Sequence, residues 1–182
     1  MRIVSGYLKG QRLKGYQLKG IRPTMSRGRE SLMAVFQFKL KGAVVLDLFA
    51  GSGAFGIEAL SNGADKVYFV DHNLNASACC RDNLEKLGIR DKAMVLTADW
   101  KQALTKFKGK GLQFDLIFLD PPYQLHYLSS ILEVIVNQQL VKPKGYVVCE
   151  FEQYEFKVPS LLKLIKSKRY GDKRINIYQL SL

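Results

Sequence analysis

The sequence predicts an α/β fold, a mostly parallel sheet with helices on both faces. Three observations carry this. Short apolar runs at residues 43–49, 66–70 and 116–119 read as strands covered on both sides. Amphipathic stretches alternate with them, which calls for right-handed crossovers between parallel strands. A chain of 182 residues, 47% of them hydrophobic, is the size of one domain with one substantial core.

The first twenty residues are short mixed runs punctuated by Gly6, Gly10 and Gly20, the pattern of a β-hairpin or meander with basic side chains outward. Its apolar residues are few, so this ribbon must lean on something larger. After Pro23, the spacing of Leu32, Val35, Phe36 and Leu40 by three and four predicts an amphipathic helix over 26–40, with Arg27 and Arg29 in its first turns. Residues 1–42 thus form an extension, and 43–182 the body. In the body, strands at 43–49, 66–70, 94–96 and 114–119 alternate with helices at 54–61, 75–87, 101–107 and 127–139. The end differs: a strand over 145–151 is followed by apolar residues 161–165. The alternation of residues 175–180 suits a half-exposed strand in a terminal hairpin.

Net charge is +12, and it is unevenly placed. Residues 1–42 hold ten bases and one acid, residues 43–155 eleven bases and fourteen acids, and residues 156–182 seven bases and one acid. A body at −3 flanked by ends at +9 and +6 suggests a polyanion-binding surface attached to something else, although Lys-rich ends also serve solubility alone. Disorder and membrane spanning do not fit: aromatic residues occur throughout, and no apolar run approaches the ~20 residues of a spanning helix. Cys79, Cys80 and Cys149 form neither a CxxC pair nor a Cys/His cluster, and residues 1–6 lack a signal-peptide core. A reducing cytoplasm is the expected compartment.

Chemistry concentrates at the carboxyl ends of the predicted strands. Leu46-Asp47-Leu48-Phe49-Ala50-Gly51-Ser52-Gly53 lies where the first strand of the body turns into its helix, and small residues there let a ligand approach backbone N–H groups. Gly56 follows Gly53 by three, so spacing alone leaves a nicotinamide cofactor open. Asp71 ends the next strand, twenty residues after Gly51, where an acid can accept from two ribose hydroxyls or cap the following helix. Asp99 stands before the helix at 101–107, equally able to cap it or to face an adenine amine. Its neighbour Trp100 is suited to an adenine pocket or to the core. Most specific is Asp120-Pro121-Pro122-Tyr123 directly after an apolar strand. Two prolines fix a rigid loop at the ligand-binding edge, leaving a carboxylate, unpaired carbonyls and a ring on which a base can stack. His72 and His126 have no partner pattern that makes either a general base.

In this order and spacing, LDLFAGSG, Asp71 and DPPY resemble class I S-adenosylmethionine-dependent methyltransferases that act on exocyclic amines of nucleobases. The segments MRIVSGYLKGQRLK and IRPTMSRGRESL narrow the resemblance to the RsmD family of bacterial 16S ribosomal RNA guanine-N2 methyltransferases. The similarity covers nearly the whole chain, departing at Ser26, where an acid is usual, and at Gly28, where an aliphatic residue is. It implies a Rossmann-like class I methyltransferase fold, a mostly parallel seven-stranded sheet flanked by helices, with an N-terminal β-hairpin extension.

The resemblance also implies roles. S-adenosylmethionine, with no metal, would be held by Asp47, Gly51, Gly53, Asp71, Asp99 and Trp100. Asp120 and the Pro121 carbonyl would accept from the target amine, in a loop stiffened by Pro122, with Tyr123 stacking on the extruded base. Arg2, Lys9, Arg12, Lys14, Lys19, Arg22, Arg27 and Arg29 would meet phosphates of 16S RNA, in the small subunit or an assembly precursor. Nothing in the sequence asks for more than a monomer. The rivals are a DNA N6-adenine or N4-cytosine methyltransferase and a non-catalytic RNA-binding assembly factor. A nicotinamide-dependent oxidoreductase would leave DPPY without a purpose.

Overall fold

In the computed structural model, residues 1–15, 24–122, 127–152 and 154–181 are described, with backbone alone for 24–27. The body alternates β1 (Val44–Leu48), α2 (Ala54–Ser61), β2 (Lys66–Asp71), α3 (Leu74–Lys86), β3 (Ala93–Thr97), α4 (Trp100–Gly109), β4 (Phe114–Leu119), α5 (Leu128–Asn137) and β5 (Val141–Glu152). It ends in the hairpin β6 (Leu162–Tyr170) and β7 (Lys173–Leu180) and is preceded by α1 (Thr24–Phe36). One seven-stranded sheet has the order β3-β2-β1-β4-β5-β7-β6. The first five are parallel, and β7 joins β5 antiparallel. A Rossmann-like, mostly parallel sheet is therefore the architecture, and strand order reverses between β1 and β4. In such a sheet ligands bind outside the carboxyl ends at that reversal.

Each sheet face buries one apolar cluster. On one face Val45, Val67, Phe69, Leu116, Phe118 and Val148 pack with α1, α2 and α3; on the other Leu46, Leu48, Ile117, Leu119 and Val147 pack with α4 and α5. Full coverage on both sides explains why β1 and β4 read as unbroken apolar runs. Gly56 permits the close seat of α2, because a Cβ there would lie 2.2 Å from the Phe69 ring. At Gly28 on α1 packing makes no such demand, since a Cβ there would make ordinary contact with Ile175 and Tyr170 on the terminal hairpin.

The N-terminal segment pairs with itself antiparallel, as a short hairpin would: Arg2 bridges Arg12, and the N–H groups of Ile3, Gly10 and Leu13 donate to the carbonyls of Gln11, Ile3 and Met1. Other donors of the segment reach the body: Val4 N–H and Ser5 N–H donate to the Glu58 carboxylate, at 2.7 and 3.3 Å, and Leu8 N–H donates to Ser61 Oγ. Glu58 is fully buried on α2, so the basic segment is fastened to the body by polar contacts, with Ile3 and Leu13 in its core. Two spans also exceed their sequence patterns: β6 runs to Tyr170, well beyond residue 165, and β5 begins at Val141. The extra β6 residues are mostly exposed and polar, held by pairing with β7 and, towards α1, by the Lys168 Nζ bond to Ser31 Oγ and by half-buried Tyr170.

Candidate functional site

At the carboxyl edge, where strand order reverses, lies a cleft of about 120 Å³. Its apolar walls are Leu48 and Phe49 after β1, Val70 on β2, Ala98, Trp100, Pro122 after β4 and Tyr127 before α5. Three polar residues, Asp71, His72 and Asp99, face the same space. Trp100 is buried with its ring 6.0 Å from that of Tyr127, so two aromatics bound one side. This is an apolar cleft with carboxylates facing it, a chemistry suited to a planar base carrying a polyhydroxy sugar.

Asp71 organises the slot. Its Oδ2 accepts from Gly51 N–H at 2.8 Å and its Oδ1 from Asn73 N–H at 2.9 Å, tying the glycine loop to the end of β2. The helix-cap reading of Asp71 is displaced, since Asn73 caps α3 by accepting from Asn75 and Ala76 N–H. Each Asp71 oxygen keeps a lone pair for a ligand hydroxyl. Asp99 does cap α4, accepting from Lys101 N–H at 2.9 Å, while remaining exposed at the cleft.

The glycines divide by role. Gly51 has φ +56° with open space where a Cβ would stand, so its smallness leaves room for a ligand above the loop. Gly53 has φ +80°, and a Cβ on it would lie 2.6 Å from Cys80 Sγ; internal packing accounts for it. Asp47 also departs from the expected cofactor contact. It is 1% exposed, outside the cleft lining, and accepts from Gly56 N–H at 2.9 Å. Because the α2 N-cap is Gly53, which has no side chain, Asp47 supplies the capping acceptor from beneath. It therefore positions the glycine loop rather than touching a ligand.

Burial pushes the Asp47 carboxyl up to about 7, opposed by the Gly56 hydrogen bond and reinforced by the nearby Asp71 charge. A carboxyl raised on folding stabilises the protein fully below its unfolded value, and that contribution disappears as pH rises through about 7. Asp47→Asn keeps an acceptor for Gly56 and removes the titration. Thermal melts from pH 4 to 8 are expected to show the variant losing less stability than the wild type, by on the order of 2–4 kcal/mol over that span. Parallel melting curves would refute this account.

Asp120 follows β4 and is half-buried, with Pro121 buried behind it and Pro122 exposed at the cleft. The cleft and the carboxylate loop thus adjoin through Pro122. Tyr123, Lys19, Arg22 and His126 lie outside the described residues. Of the expected phosphate contacts, Arg2, Lys9, Arg12 and Lys14 are exposed; Lys14 pairs with Asp82 at 3.0 Å. Arg27 lies in the first turn of α1. Arg29 is a correction: it is 7% exposed, donates to Met1 Sδ and the Arg2 carbonyl, and faces Glu58 and Glu150, so it balances buried carboxylates and does not reach a surface polyanion.

Three contributors escaped the sequence reading. Phe49 lines the cleft at φ 71°, a left-handed conformation that no sequence pattern announces. Tyr127 lies beyond the DPPY loop and reaches the slot only through folding. Asn83, fully buried on α3, donates to the Ser52 and Lys14 carbonyls and accepts from Lys14 N–H, joining the glycine loop to the N-terminal segment. A polar residue on the inner face of α3 was the one available signal.

Comparison with known proteins agrees with this layout. The family model described as Conserved hypothetical protein 95 matches residues 1–179. The Bacillus subtilis protein YlbH is 35% identical over 182 residues, covering 98% of each chain. Ribosomal RNA small subunit methyltransferase D of Escherichia coli K12 is 29% identical, covering 98% of this chain and 89% of its own. The solved structure of Escherichia coli yhhF superimposes with a TM-score of 0.86 at 29% identity, over 99% of this chain and 97% of that one.

Proposed function

Because the chain belongs to the Conserved hypothetical protein 95 (RsmD) family, we propose that it methylates the exocyclic N2 amine of a guanine in 16S ribosomal RNA, using S-adenosylmethionine. The observation that carries this reading is the junction of an apolar cleft bearing Asp71 and Asp99 with the Asp120-Pro121-Pro122 loop at the strand reversal. When bound, S-adenosylmethionine supplies an electrophilic methyl group on a sulfonium. Asp71 would accept from its ribose hydroxyls, Asp99 from the adenine amine, and Trp100 and Tyr127 would flank the base. Open space over Gly51 accommodates the amino-acid portion.

A guanine amine is a poor nucleophile, its lone pair being delocalised into the ring. Asp120 and the Pro121 carbonyl would each accept one N–H, turning the nitrogen lone pair toward the methyl group and stabilising the positive charge that develops on nitrogen. Proline has no N–H to compete for these acceptors. The amine proton leaves after transfer, to Asp120 or to water. Tyr123 would stack on the extruded base. Exposed Arg2, Lys9, Arg12 and Lys14 would hold RNA phosphates without reading sequence.

Mass spectrometry of 16S RNA nucleosides from a strain lacking the protein tests this directly. One N2-methylguanosine should disappear, and the purified protein with S-adenosylmethionine should restore it. An unchanged nucleoside profile, or methyl transfer to DNA in preference to RNA, overturns the reading. The small subunit or its assembly precursors should be methylated faster than naked 16S RNA.

A further inference from the structure

The C-terminal hairpin is the most basic part of the chain with no motif behind it, and its first β7 residue, Lys173, lies within electrostatic reach of Asp120 in the candidate acceptor loop. Lys173 Nζ lies 2.6 Å from Glu150 Oε1, with the two side chains 25% and 11% exposed. The register explains the meeting. Leu119 pairs with Cys149, so Asp120 comes level with Glu150 on β5, while Glu152 pairs with Lys173 across β5 and β7. Alternation then sends Asp120, Glu150 and Lys173 to one face of the sheet, with Phe118, Val148 and Ile175 beneath them. α1 covers this face, and its buried Arg29 lies within electrostatic reach of Glu150 and Glu58.

We propose that Lys173 is a positioning residue for Asp120, holding its carboxylate ionised and oriented for the target amine; this rests on the acceptor role given to Asp120 above. The corner gathers Asp120 from the β4 loop and Glu150 and Glu152 from β5 against Lys173 from β7 and Arg29 from α1. Removing Lys173 takes a cation away from Asp120 while the like charges of Glu150 and Glu152 stay, which favours the protonated carboxyl in this half-buried setting. The lysine responds to the same neighbours. Burial lowers its pKa, yet the carboxylates of Asp120, Glu150 and Glu152 more than reverse this and leave it raised.

Two readouts test the proposal on the full chain. Carbon-13 NMR follows the Asp120 carboxyl through a pH titration, its signal identified by loss in Asp120→Asn. In Lys173→Met its midpoint should rise by about one unit or more, in Lys173→Arg it should stay near the wild type, and in Glu150→Gln, where a like charge is removed, it should fall. In kinetics, Lys173→Met should lower kcat about tenfold at neutral pH, leave KM for S-adenosylmethionine unchanged and move the acid limb of kcat upward, with Lys173→Arg restoring all three. An Asp120 midpoint that does not move in Lys173→Met overturns the proposal, whatever happens to the rate. A shifted midpoint in a protein whose wild type transfers no methyl group to RNA leaves the coupling standing and removes the methyl-transfer reading instead.

Discussion

Asp120→Ala is expected to lower kcat by about 10²–10⁴-fold while the protein still folds and still gains thermal stability from S-adenosylhomocysteine. The separation follows from where the residue stands. Its strand is anchored by Ile117, Phe118 and Leu119, all buried, and none of those contacts depends on the Asp120 carboxylate. The slot is lined by Pro122 from this loop and does not include Asp120. Removing the carboxylate therefore takes away an acceptor needed as charge develops on the amine, and leaves the ligand walls in place. Asp120→Asn should fall between, since an amide oxygen still accepts one hydrogen bond but carries no charge. Full transfer in Asp120→Ala would move the acceptor role to the Pro121 carbonyl or remove the reading of the loop.

The body was readable because its strands are buried on both faces: apolar runs at β1, β2 and β4 have few alternatives in a chain this size. The start of the loop, Asp120-Pro121-Pro122, was readable because two prolines after such a strand leave little conformational choice. What stayed hidden depends on long-range contacts. Glu58 looks in sequence like one more helix acid, yet it accepts from Val4 and Ser5 N–H and fastens the N-terminal segment to the body. Arg29 looks like one more surface base near the start of α1, yet two carboxylates from α2 and β5 hold it inside. Asp47 sits in the most conspicuous motif of the chain, and only the structure separates capping a helix from touching a ligand. Candidate site residues were thus legible at the sheet edge, where one strand and one loop suffice. They were illegible wherever a charge serves a distant backbone.

Asp71→Ala is expected to produce the converse kinetic signature, a binding defect with chemistry largely intact. Two losses combine in this variant. The ligand loses its ribose acceptors, each a charge-assisted hydrogen bond worth about 1.5–3 kcal/mol. The Gly51 and Asn73 N–H groups lose their common carboxylate, so the glycine loop and the end of β2 are no longer fixed to one another. Affinity for S-adenosylhomocysteine should drop at least ~100-fold, which removes about 2.3 kcal/mol of ligand stabilisation at a concentration about one hundred times the wild-type Kd. Calorimetry and thermal shift read this without any RNA. At saturating S-adenosylmethionine kcat should recover to within about tenfold of the wild type, because the Asp71 contacts are the same in the ground and transition states. Asp71→Asn distinguishes the two losses: one oxygen can still serve Gly51 or Asn73 but not both, so its melting temperature should lie between wild type and Asp71→Ala even where its affinity does not. A normal thermal response to S-adenosylhomocysteine in Asp71→Ala would mean that the carboxylate serves the loop alone, and the ribose site would have to be sought at Asp99.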